Sequence, residues 1–340
     1  MNPKHKTLLV TGGAGFIGSA FVRQAIAAGQ CVIVLDALTY AGHRINLEGV
    51  DCTLVVGDIA DGALVAGLLK QHNIDAVAHF AAESHVDNSI SKPSAFIDTN
   101  IVGTYRLLEA AREYWNALDA KKKETFRYLQ VSTDEVYGSL GPTGAFSETT
   151  AMKPNSPYSA SKAAGDHLAR AWHKTYGLPV LVTNCSNNYG PRQHPEKLIP
   201  HMITCALSGK PLPVYGDGKN VRDWIHVEDH CAGVALALEK GAVGETYCFG
   251  GQAEEANLNL VNQLCAILDE LRPRSGGGSY ASQITFVTDR LGHDRRYAID
   301  DTKARSKLGF TRRHNFASGL RATVEWYLNN GEWCRIRKAA

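Results

Sequence analysis

Two short polar segments in the first half of the chain carry side chains that could transfer protons. Thr133, Asp134 and Glu135 directly follow an apolar run, while Tyr158 and Lys162 lie four residues apart in the next helical pattern. On a helix this spacing places the phenol and the ammonium group on one face, so the positive charge should lower the phenol pKa and make phenolate a usable base. The adjacent carboxyl groups supply a second acid and a second base. A simple oxidation needs neither, but removal of water from an oxidised product needs both.

Taken alone, these patterns have ordinary explanations. Tyr-x-x-x-Lys is typical of an amphipathic helix with a solvated Lys, and acidic residues after a strand are common in turns. Residues 12–18 change the interpretation, because Gly12, Gly15 and Gly18 stand between a predicted strand and a predicted helix. There, the absence of side chains lets a pyrophosphate approach backbone N–H groups at the helix N-terminus. The context favours a dinucleotide-binding turn over a plain glycine-rich turn.

The identity of the dinucleotide follows from the second predicted strand, which ends at Asp36. A carboxylate there can accept hydrogen bonds from the adenosine ribose and would repel a 2′-phosphate, which predicts NAD rather than NADP. Asp58, Ile59 and residues 80–84 follow the next two predicted strands. Ligands bind at this edge of doubly wound sheets, and the small residues there would let adenine and the second ribose lie flat.

Apolar runs alternate with helical patterns through the first half, which predicts an α/β fold with a Rossmann-type doubly wound parallel sheet covered on both faces. The predicted strands are 7–11, 31–36, 53–57, 76–80, 128–132 and 180–184, and the predicted helices are 16–28, 64–71, 93–118 and 157–176. Beyond residue 187 prolines and glycines become frequent, which indicates a smaller α/β substrate-binding region at the C-terminal side. The predicted division is an NAD-binding domain at 1–186, to which 221–248 return, and a substrate region at 187–220 and 249–335. The strand and helix from Trp224 to Lys240 are expected to rejoin the main sheet.

The composition is that of a globular protein: of 340 residues, 44% are hydrophobic and 21% charged, and the formal net charge is +2. Apart from residues 121–123, expected in a solvated loop, the basic residues are scattered, so nucleic acid is not an expected partner. The eight cysteines lack C-x-x-C spacing, and Cys31, Cys185 and Cys248 sit in apolar runs. This predicts buried thiols in a reducing compartment, without a metal site or a disulfide frame. The cysteine usage predicts a cytoplasmic protein, and the polar N-terminus and the absence of a long apolar window predict neither signal peptide nor membrane contact.

Five segments together carry a resemblance to a known family; they are residues 36–42, 81–87, 132–138, 195–200 and 292–297. On these motifs nearly the whole chain resembles the extended short-chain dehydrogenase/reductases. Within them it is most similar to the nucleotide-sugar 4,6-dehydratases, above all those acting on dTDP-glucose. The resemblance implies NAD as a cofactor regenerated in each turnover, and dTDP-4-keto-6-deoxyglucose as the product.

The resemblance also implies roles for individual residues. Tyr158, helped by Lys162 and by a hydrogen bond from Thr133, takes the proton of the sugar 4-hydroxyl while the C4 hydride passes to NAD⁺. Glu135 then removes the C5 proton, and protonated Asp134 helps the C6 hydroxyl leave as water, before hydride returns to C6 and a proton to C5. A neighbouring pair of carboxyl groups can share one proton and divide the two roles. Which carboxyl group has which role comes from the family alone.

Binding residues follow from the motifs and the resemblance together. The predicted cofactor-binding residues are Gly12, Gly15, Phe16, Ile17, Gly18, Asp36, Leu38, Thr39, Asp58, Ile59, Ala81, Ala82, Ser84, Thr99, Tyr158, Lys162 and Asn187. The predicted substrate-binding residues are Ser84, Thr133, Asn187, Glu196, Lys197, Leu198, Pro213, Tyr215, Arg222, Asn257, Asp289, His293 and Arg295. Arg222 and Arg295 could fork onto phosphate oxygens, and Tyr215 could stack on the base. Arg192, His194 and Leu291 depart from the usual family pattern and bear on the shape of the base pocket.

Three alternatives stay open on the sequence. The substrate could be a UDP-sugar, or the enzyme could be a 4-epimerase, which shares the glycines, Tyr158 and Lys162 but normally lacks the acid–base pair. A non-catalytic NAD-sensing protein is the third, because a fold alone does not prove catalysis. As in relatives of the family, the predicted helices 93–118 and 157–176 are expected to form a four-helix bundle in a homodimer. Its apolar residues, divided between interface and core, would be Phe96, Ile97, Leu107, Ala164, Leu168 and Trp172.

Overall fold

The computed structural model describes residues 5–339, and strands alternate with helices through the first half of this range. The strands are β1 (Thr7–Thr11), β2 (Cys31–Asp36), β3 (Thr53–Val56), β4 (Ala76–His79), β5 (Arg127–Thr133), β6 (Val180–Cys185), β7 (Asn187–Tyr189), β8 (Leu212–Tyr215), β9 (Val221–His226), β10 (Thr246–Phe249), β11 (Glu254–Ala256) and β12 (Ile284–Val287). The helices are α1 (Phe16–Ala27), α2 (Gly62–Gln71), α3 (Val86–Ser91), α4 (Pro93–Phe96), α5 (Thr104–Ala117), α6 (Ala120–Thr125), α7 (Pro157–Tyr176), α8 (Leu198–Leu207), α9 (Val227–Lys240), α10 (Asn257–Leu271), α11 (Phe316–Asn329) and α12 (Gly331–Ala339).

Seven strands form one parallel sheet in the order β10-β6-β5-β4-β1-β2-β3. In its middle, Leu9 of β1 lies opposite Ile33 of β2 on one side and Val77 of β4 on the other. The strand order reverses between β1 and β4, and this reversal is the switch point at which doubly wound sheets bind ligands. The predicted Rossmann-type fold is confirmed.

Both faces of this sheet are covered by helices, which explains why its strands are apolar throughout. Side chains alternate along a strand, so Leu8 and Val10 belong to one layer and Leu9 to the other, and all three are fully buried. Helices α1 and α9 cover the first face, while α2, α5 and α7 cover the second. A strand buried on both faces cannot alternate apolar with polar residues.

The C-terminal half builds a separate apolar cluster. Strands β7, β9 and β11 form a three-stranded sheet, and β8 pairs with β12 in a parallel two-stranded one. Helices α8, α10 and α11 pack around them through buried residues such as Ile203, Leu264 and Val324. This is the smaller α/β region that the sequence predicted at the C-terminal side.

The strand predicted at Trp224 does not join the main sheet, so this expectation was wrong. It is β9, and it pairs with β7 and β11, because β10 occupies the place beside β6. The helix that follows, α9, does return and packs against α1. The helix predicted over 93–118 is also interrupted, since residues 97–103 form a π-helical stretch between α4 and α5. Asn100 in this stretch bonds both backbone groups of Glu83 at the edge of the sheet.

Two further local expectations were wrong. Lys121, Lys122 and Lys123 lie in helix α6 rather than in a loop, because Asp119 caps its first turn by accepting a hydrogen bond from the Lys122 amide. Cys31 is exposed, because it opens β2 at the rim of the sheet, whereas Cys185 and Cys248 are buried as predicted. The cysteines at positions 31, 52, 185, 231, 248 and 265 are free thiols. Among the helices of residues 5–339, none combines the length and the apolar character needed to cross a bilayer.

The link between the two halves generates a stability prediction. A Cβ atom at Gly251, just after β10, would lie 1.7 Å from the carbonyl oxygen of Trp224, whereas one at Gly67 in α2 would meet no described atom within 4 Å. We expect Gly251→Ala to lower the free energy of unfolding by about 3 kcal/mol through overpacking. Gly67→Ala should raise it by about 0.5 kcal/mol, because alanine loses less backbone entropy in a helix. Denaturant unfolding of both variants checks this; equal stability of Gly251→Ala and the wild type would contradict the close approach.

Candidate active site

The glycine-rich turn between β1 and α1 is shaped by close backbone contacts. Gly12 has φ +70°, and a Cβ there would lie 2.5 Å from the Ala81 amide nitrogen. A Cβ at Gly18 would lie 2.2 Å from the Gly12 carbonyl oxygen. Gly15 is the N-cap of α1 and so has no side-chain group to offer the first turn. Such a turn leaves room for an anion to approach the helix N-terminus, where it is electrostatically favoured.

Asp36 at the end of β2 connects this turn to the following segment. Its buried carboxylate accepts hydrogen bonds from the Ala14 amide at 2.8 Å and the Leu38 amide at 2.8 Å. Burial raises the pKa of Asp36, while the two amide bonds oppose this. Each carboxylate oxygen can accept a further bond, so the group fits a ribose diol. Leu38 is held with φ +51° beside it.

A cavity of about 320 Å³ lies along the carboxyl edge of the main sheet. Its lining includes Thr133, Asp134, Glu135, Tyr158, Lys162, Glu196 and Lys197, and every predicted cofactor-binding residue except Leu38. Leu38 instead packs against the apolar cluster under α1. The structure thus gathers residues from β1, β2, β4, β5, β6 and α7 around one space, and the set fits a dinucleotide with a second ligand beside it.

Helix α7 positions Tyr158 and Lys162. It begins with a capping box, in which Ser156 and Ser159 exchange side-chain-to-backbone hydrogen bonds, and with Pro157 in its first turn. The Lys162 ammonium donates to the Val131 carbonyl at 2.8 Å. Both catalytic candidates are buried. The helix start therefore fixes where on the cavity wall the pair stands.

The pKa of Tyr158 differs in direction from the expectation. Burial raises the pKa of Tyr158 well above its usual value, and the negative charge of Glu135 adds to the effect. The net shift is therefore opposite to the expected lowering, and the Lys162 ammonium is bonded to the Val131 carbonyl of β5, with its own pKa lowered by burial. Forming the phenolate therefore needs more positive charge than the protein places beside the phenol.

Asp134 and Glu135 are adjacent in the chain but occupy different surroundings. Burial raises the pKa of Asp134 well above its usual value, and the negative charges of Glu135 and Asp223 raise it further. Burial also raises the pKa of Glu135, but the positive charges of Arg290, Arg222 and Lys197 oppose this. Burial thus raises the pKa of both carboxyl groups, but the next largest influences differ: carboxylates act on Asp134, and cations act on Glu135.

Asp166, a buried residue that the sequence interpretation missed, fixes the position of the segment at the end of β5. Asp166, one turn after Lys162 on α7, accepts hydrogen bonds from the Ser132 hydroxyl at 2.7 Å and the Asn184 amide at 3.1 Å. The same Asn184 amide donates to the Thr133 carbonyl at 3.1 Å. Burial raises the pKa of Asp166 to about 6, against the positive charge of Lys162. No periodic signal distinguishes this Asp from a solvated helix residue, so only its environment identifies it.

A second polar group lies where the cavity opens. Lys197 donates to the Ser84 carbonyl at 2.8 Å, and its ammonium is 3.8 Å from the Glu196 carboxylate. His85 and His194 flank the same carboxylate at 3.3 and 3.7 Å. His194 is one of the residues that depart from the family pattern. Its imidazole lines the cavity and contacts the Tyr40 ring edge-on.

The remaining predicted substrate residues form a group beyond this cavity lining. His293 contacts the Tyr215 ring edge-on and lies 2.6 Å from Asp289, and Tyr215 is 40% exposed. Arg222 is buried and stacks on the Tyr297 ring at 4.3 Å. Arg295 is exposed and forks onto Asp217 at 2.9 and 3.2 Å rather than pointing into a buried site. Leu198, Pro213 and Asn257 lie at the starts of α8, β8 and α10 nearby.

Two more positions depart from the family pattern. The Arg192 guanidinium lies over the Trp326 ring at 5.3 Å, not with the group around Tyr215 and His293. Leu291 is 78% exposed in the loop between Asp289 and His293, so it borders that group from the solvent side. Of the departures, His194 and Leu291 can affect a ligand, whereas Arg192 packs on the protein itself.

A sheet in this strand order, with a buried phenol and ammonium on the helix that follows its fifth strand, defines an extended short-chain dehydrogenase/reductase. Within that class residues 9–323 match the model of the family described as GDP-mannose 4,6 dehydratase, and the chain belongs to this family of nucleotide-sugar dehydratases. The resemblance predicted from the five motifs is confirmed.

Several named relatives align with nearly the whole length of the chain. It is 60% identical over 331 residues to the dTDP-glucose 4,6-dehydratase of Xanthomonas campestris pv. campestris strain B100, covering 96% of this chain and 94% of that protein. It is 55% identical over 340 residues to dTDP-glucose 4,6-dehydratase 1 of Escherichia coli K12, with the same shares. The crystal structure of DesIV, a dTDP-glucose 4,6-dehydratase from Streptomyces venezuelae with NAD and TYD bound, superposes with a TM-score of 0.89 at 48% identity, covering 97% of this chain and 99% of that one.

Proposed function

We propose that this chain dehydrates dTDP-glucose to dTDP-4-keto-6-deoxyglucose with NAD as a resident cofactor. The observation that carries the proposal is the unequal surroundings of Asp134 and Glu135 in one cavity with Tyr158 and Lys162. A dehydration of an oxidised sugar needs one carboxyl group protonated and the other ionised at the same time. The relatives named for this reaction agree with it.

NAD fits the cavity through the glycine turn and Asp36, and the structural relative DesIV was crystallised with NAD bound. When bound, NAD would supply the hydride acceptor for C4 and the hydride donor for C6, and its oxidised ring would add positive charge to the cavity that Tyr158 and Lys162 line. We place residues 5–186 and 227–248 in the cofactor region. Residues 187–226 and 249–335, which include the separate strand β9, belong to the nucleotide-sugar region.

The first proton step belongs to Tyr158. Its oxygen takes the proton of the sugar 4-hydroxyl as C4 is oxidised, and Lys162, one turn further on the same helix, supplies the protein's share of the positive charge. Thr133 lies beside Asp134, to whose Oδ1 its hydroxyl donates at 3.3 Å, and its backbone is held by Asn184. In this arrangement Thr133 orients the same sugar hydroxyl that Tyr158 deprotonates.

The elimination belongs to the carboxyl pair. The C4 ketone acidifies the C5 proton, which Glu135 removes, while Asp134 gives its proton to the C6 hydroxyl as the C6–O bond breaks and water leaves. Glu135, whose proton exchanges with solvent, protonates C5 as C6 gains hydride, and the proton that Tyr158 took from the 4-hydroxyl replaces the one that Asp134 gave to water. One water is therefore lost for each sugar and no oxidant is consumed. The cations Arg290, Arg222 and Lys197 keep Glu135 available as the base.

The nucleoside diphosphate part extends from the cavity toward the C-terminal region. Ser84, Asn187, Glu196 and Lys197 line the cavity beside the carboxyl pair and suit the sugar end. Arg222 and the loop with Asp289 and His293 lead outward from Glu135, and the Tyr215 ring offers a face for thymine. Leu198, Pro213, Asn257 and Arg295 complete this path.

A cytoplasmic location stays a prediction from the cysteine usage.

The reaction is tested by mass spectrometry after incubation with NAD and either dTDP-glucose or UDP-glucose in heavy water. Loss of one water and gain of one carbon-bound deuterium from dTDP-glucose is the expected result, because C5 is reprotonated from solvent. An unchanged mass with inverted C4 stereochemistry would establish an epimerase, and conversion of UDP-glucose alone would overturn the proposed nucleotide.

Variants separate the proton steps. Glu135→Gln should lower net dehydration about a thousandfold through loss of the base, while some reduction of NAD persists because C4 oxidation does not need Glu135. Tyr158→Phe should suppress both. Product formation and NADH absorbance measure the two steps, with Glu124→Gln, on exposed α6, as the matched control. Full turnover by Glu135→Gln would rule out the base assignment.

We also propose the homodimer through α7 and the helical segment from α4 to α5, residues 93–117. The apolar residues expected there divide into two sets: Phe96 and Leu107 are fully buried within the subunit, whereas Ile97 is 45% exposed. Trp172 and Leu168 are half-buried, and Tyr176 at the end of α7 is 48% exposed. An apolar face of this kind on two long neighbouring helices suits helix–helix pairing with a second copy.

Charge at this face should separate the subunits. Ile97→Glu is expected to convert the dimer to a monomer at micromolar concentration, because pairing would bury an uncompensated carboxylate. Sedimentation velocity measures the change, and Leu207→Glu on α8, where leucine is 37% exposed, is the matched control. A wild type that sediments as a monomer would overturn the dimer itself.

A further inference from the structure

The C-terminal helix α12 reaches back to the first third of the chain through a buried arginine. Arg337 is 2% exposed, and one of its terminal nitrogens, Nη2, donates to the carbonyls of Tyr40 at 3.0 Å and Ala41 at 2.9 Å. These carbonyls belong to the segment that follows β2. Thr39, Ala41 and Gly42 of this segment line the cavity beside Asp36. A residue near the chain end therefore holds one wall of the cofactor site.

A second contact joins the same helix to the glycine turn. The Trp333 indole N–H donates to the Asn46 side-chain oxygen at 2.9 Å, and the Asn46 amide donates to the Ala14 carbonyl at 2.8 Å. The His43 amide donates to the same carbonyl at 3.0 Å. Ala14 in turn donates to Asp36. Trp333 thus connects through one side chain to the turn that would receive the pyrophosphate.

Burial and two nearby carboxylates act in opposite directions on the pKa of Arg337. Burial lowers the pKa of the guanidinium, and the negative charges of Glu196 and Asp36 oppose this. Within the described part of the chain, Nε and Nη1 of Arg337 are buried without a hydrogen-bond partner. Because a buried cation is costly unless hydrogen-bonded, its two bonds to the Tyr40 and Ala41 carbonyls are the ones that hold it in place.

We propose that α12 is a clasp for the cofactor: Arg337 and Trp333 are positioning residues that hold residues 37–46 against the glycine turn and so slow the release of NAD. This inference rests on the proposed function in that NAD must occupy the cavity. Part of this segment has no secondary structure of its own, since residues 37–43 form neither strand nor helix, and Leu38 lies at positive φ. Tyr40 adds a bond from its hydroxyl to Ser84 at 3.2 Å, across the cavity edge.

The release rate of NAD tests the clasp directly. The holoprotein is diluted into ethanol and alcohol dehydrogenase, which reduce each released NAD to NADH. Arg337→Met should release NAD about tenfold faster, because two hydrogen bonds to a charged donor are lost. Trp333→Phe, which keeps the ring packing on Trp326 and loses the indole N–H, should show a smaller acceleration. Arg335→Met, at an exposed position on the same helix, should match the wild type, and Arg337→Lys should recover part of the slow release.

A reciprocal measurement does not depend on any substitution. If α12 slows NAD release by stabilising the bound state, NAD must stabilise the docking of α12 by the same free energy. Hydrogen–deuterium exchange of residues 331–339 in the wild type should therefore slow when NAD is added. Unchanged exchange, or a wild-type release rate in Arg337→Met, would overturn the clasp. A wild type that binds no NAD would instead overturn the proposed function, so the two failures are distinguishable.

Discussion

Parallel strand pairing is the constraint on which this active site depends. Because the strands of the main sheet run in one direction, the segments that follow β1, β2, β4, β5 and β6 all emerge at one edge. Gly12, Asp36, Ala81, Thr133 and Cys185 are thereby brought around one cavity although the first and last are more than half the chain apart. A change in register of any central strand would move its share of the site away from the others.

Buried hydrogen bonds convert this rough placement into fixed geometry. Asp166 ties helix α7 to β5 through Ser132 and to β6 through Asn184. Since Tyr158 and Lys162 lie on α7 and Thr133 ends β5, the same carboxylate sets the distance between the phenol and the carboxyl pair. Charge and position are linked here, because Asp166 also faces the Lys162 ammonium and opposes the lowering of its pKa by burial. One buried group thus supports both the geometry and the charge state of the pair.

Local sequence patterns were sufficient to predict the main sheet and the residues at its carboxyl edge. They did not predict the contacts between residues that are far apart in the chain. Strand β2 and helix α7 follow from their apolar periodicity and from the Ser156–Pro157 start. The pairing of β9 could not be predicted, because the residues of a single strand do not specify which of two sheets it joins. Lys162 lies on α7 as predicted, but its ammonium donates to the Val131 carbonyl, 31 residues away in the chain, rather than acting on Tyr158 alone. Asp166 and Arg337 were missed for the same reason: their importance lies in what surrounds them, not in their spacing.

The energetics of the carboxyl pair distinguish catalysis from a purely structural role. Asp134 is 2% exposed, and within the described residues its Oδ2 is buried without a hydrogen-bond partner, near both Glu135 and Asp223. Burying neighbouring carboxyl groups destabilises a fold, so an apolar residue of similar volume would give a more stable protein at this place. In a dinucleotide-sensing protein, nothing would offset the loss of stability from burying these carboxyl groups. An epimerase needs only the phenol and the ammonium. The arrangement is accounted for by a reaction in which one carboxyl group must give a proton while its neighbour takes one.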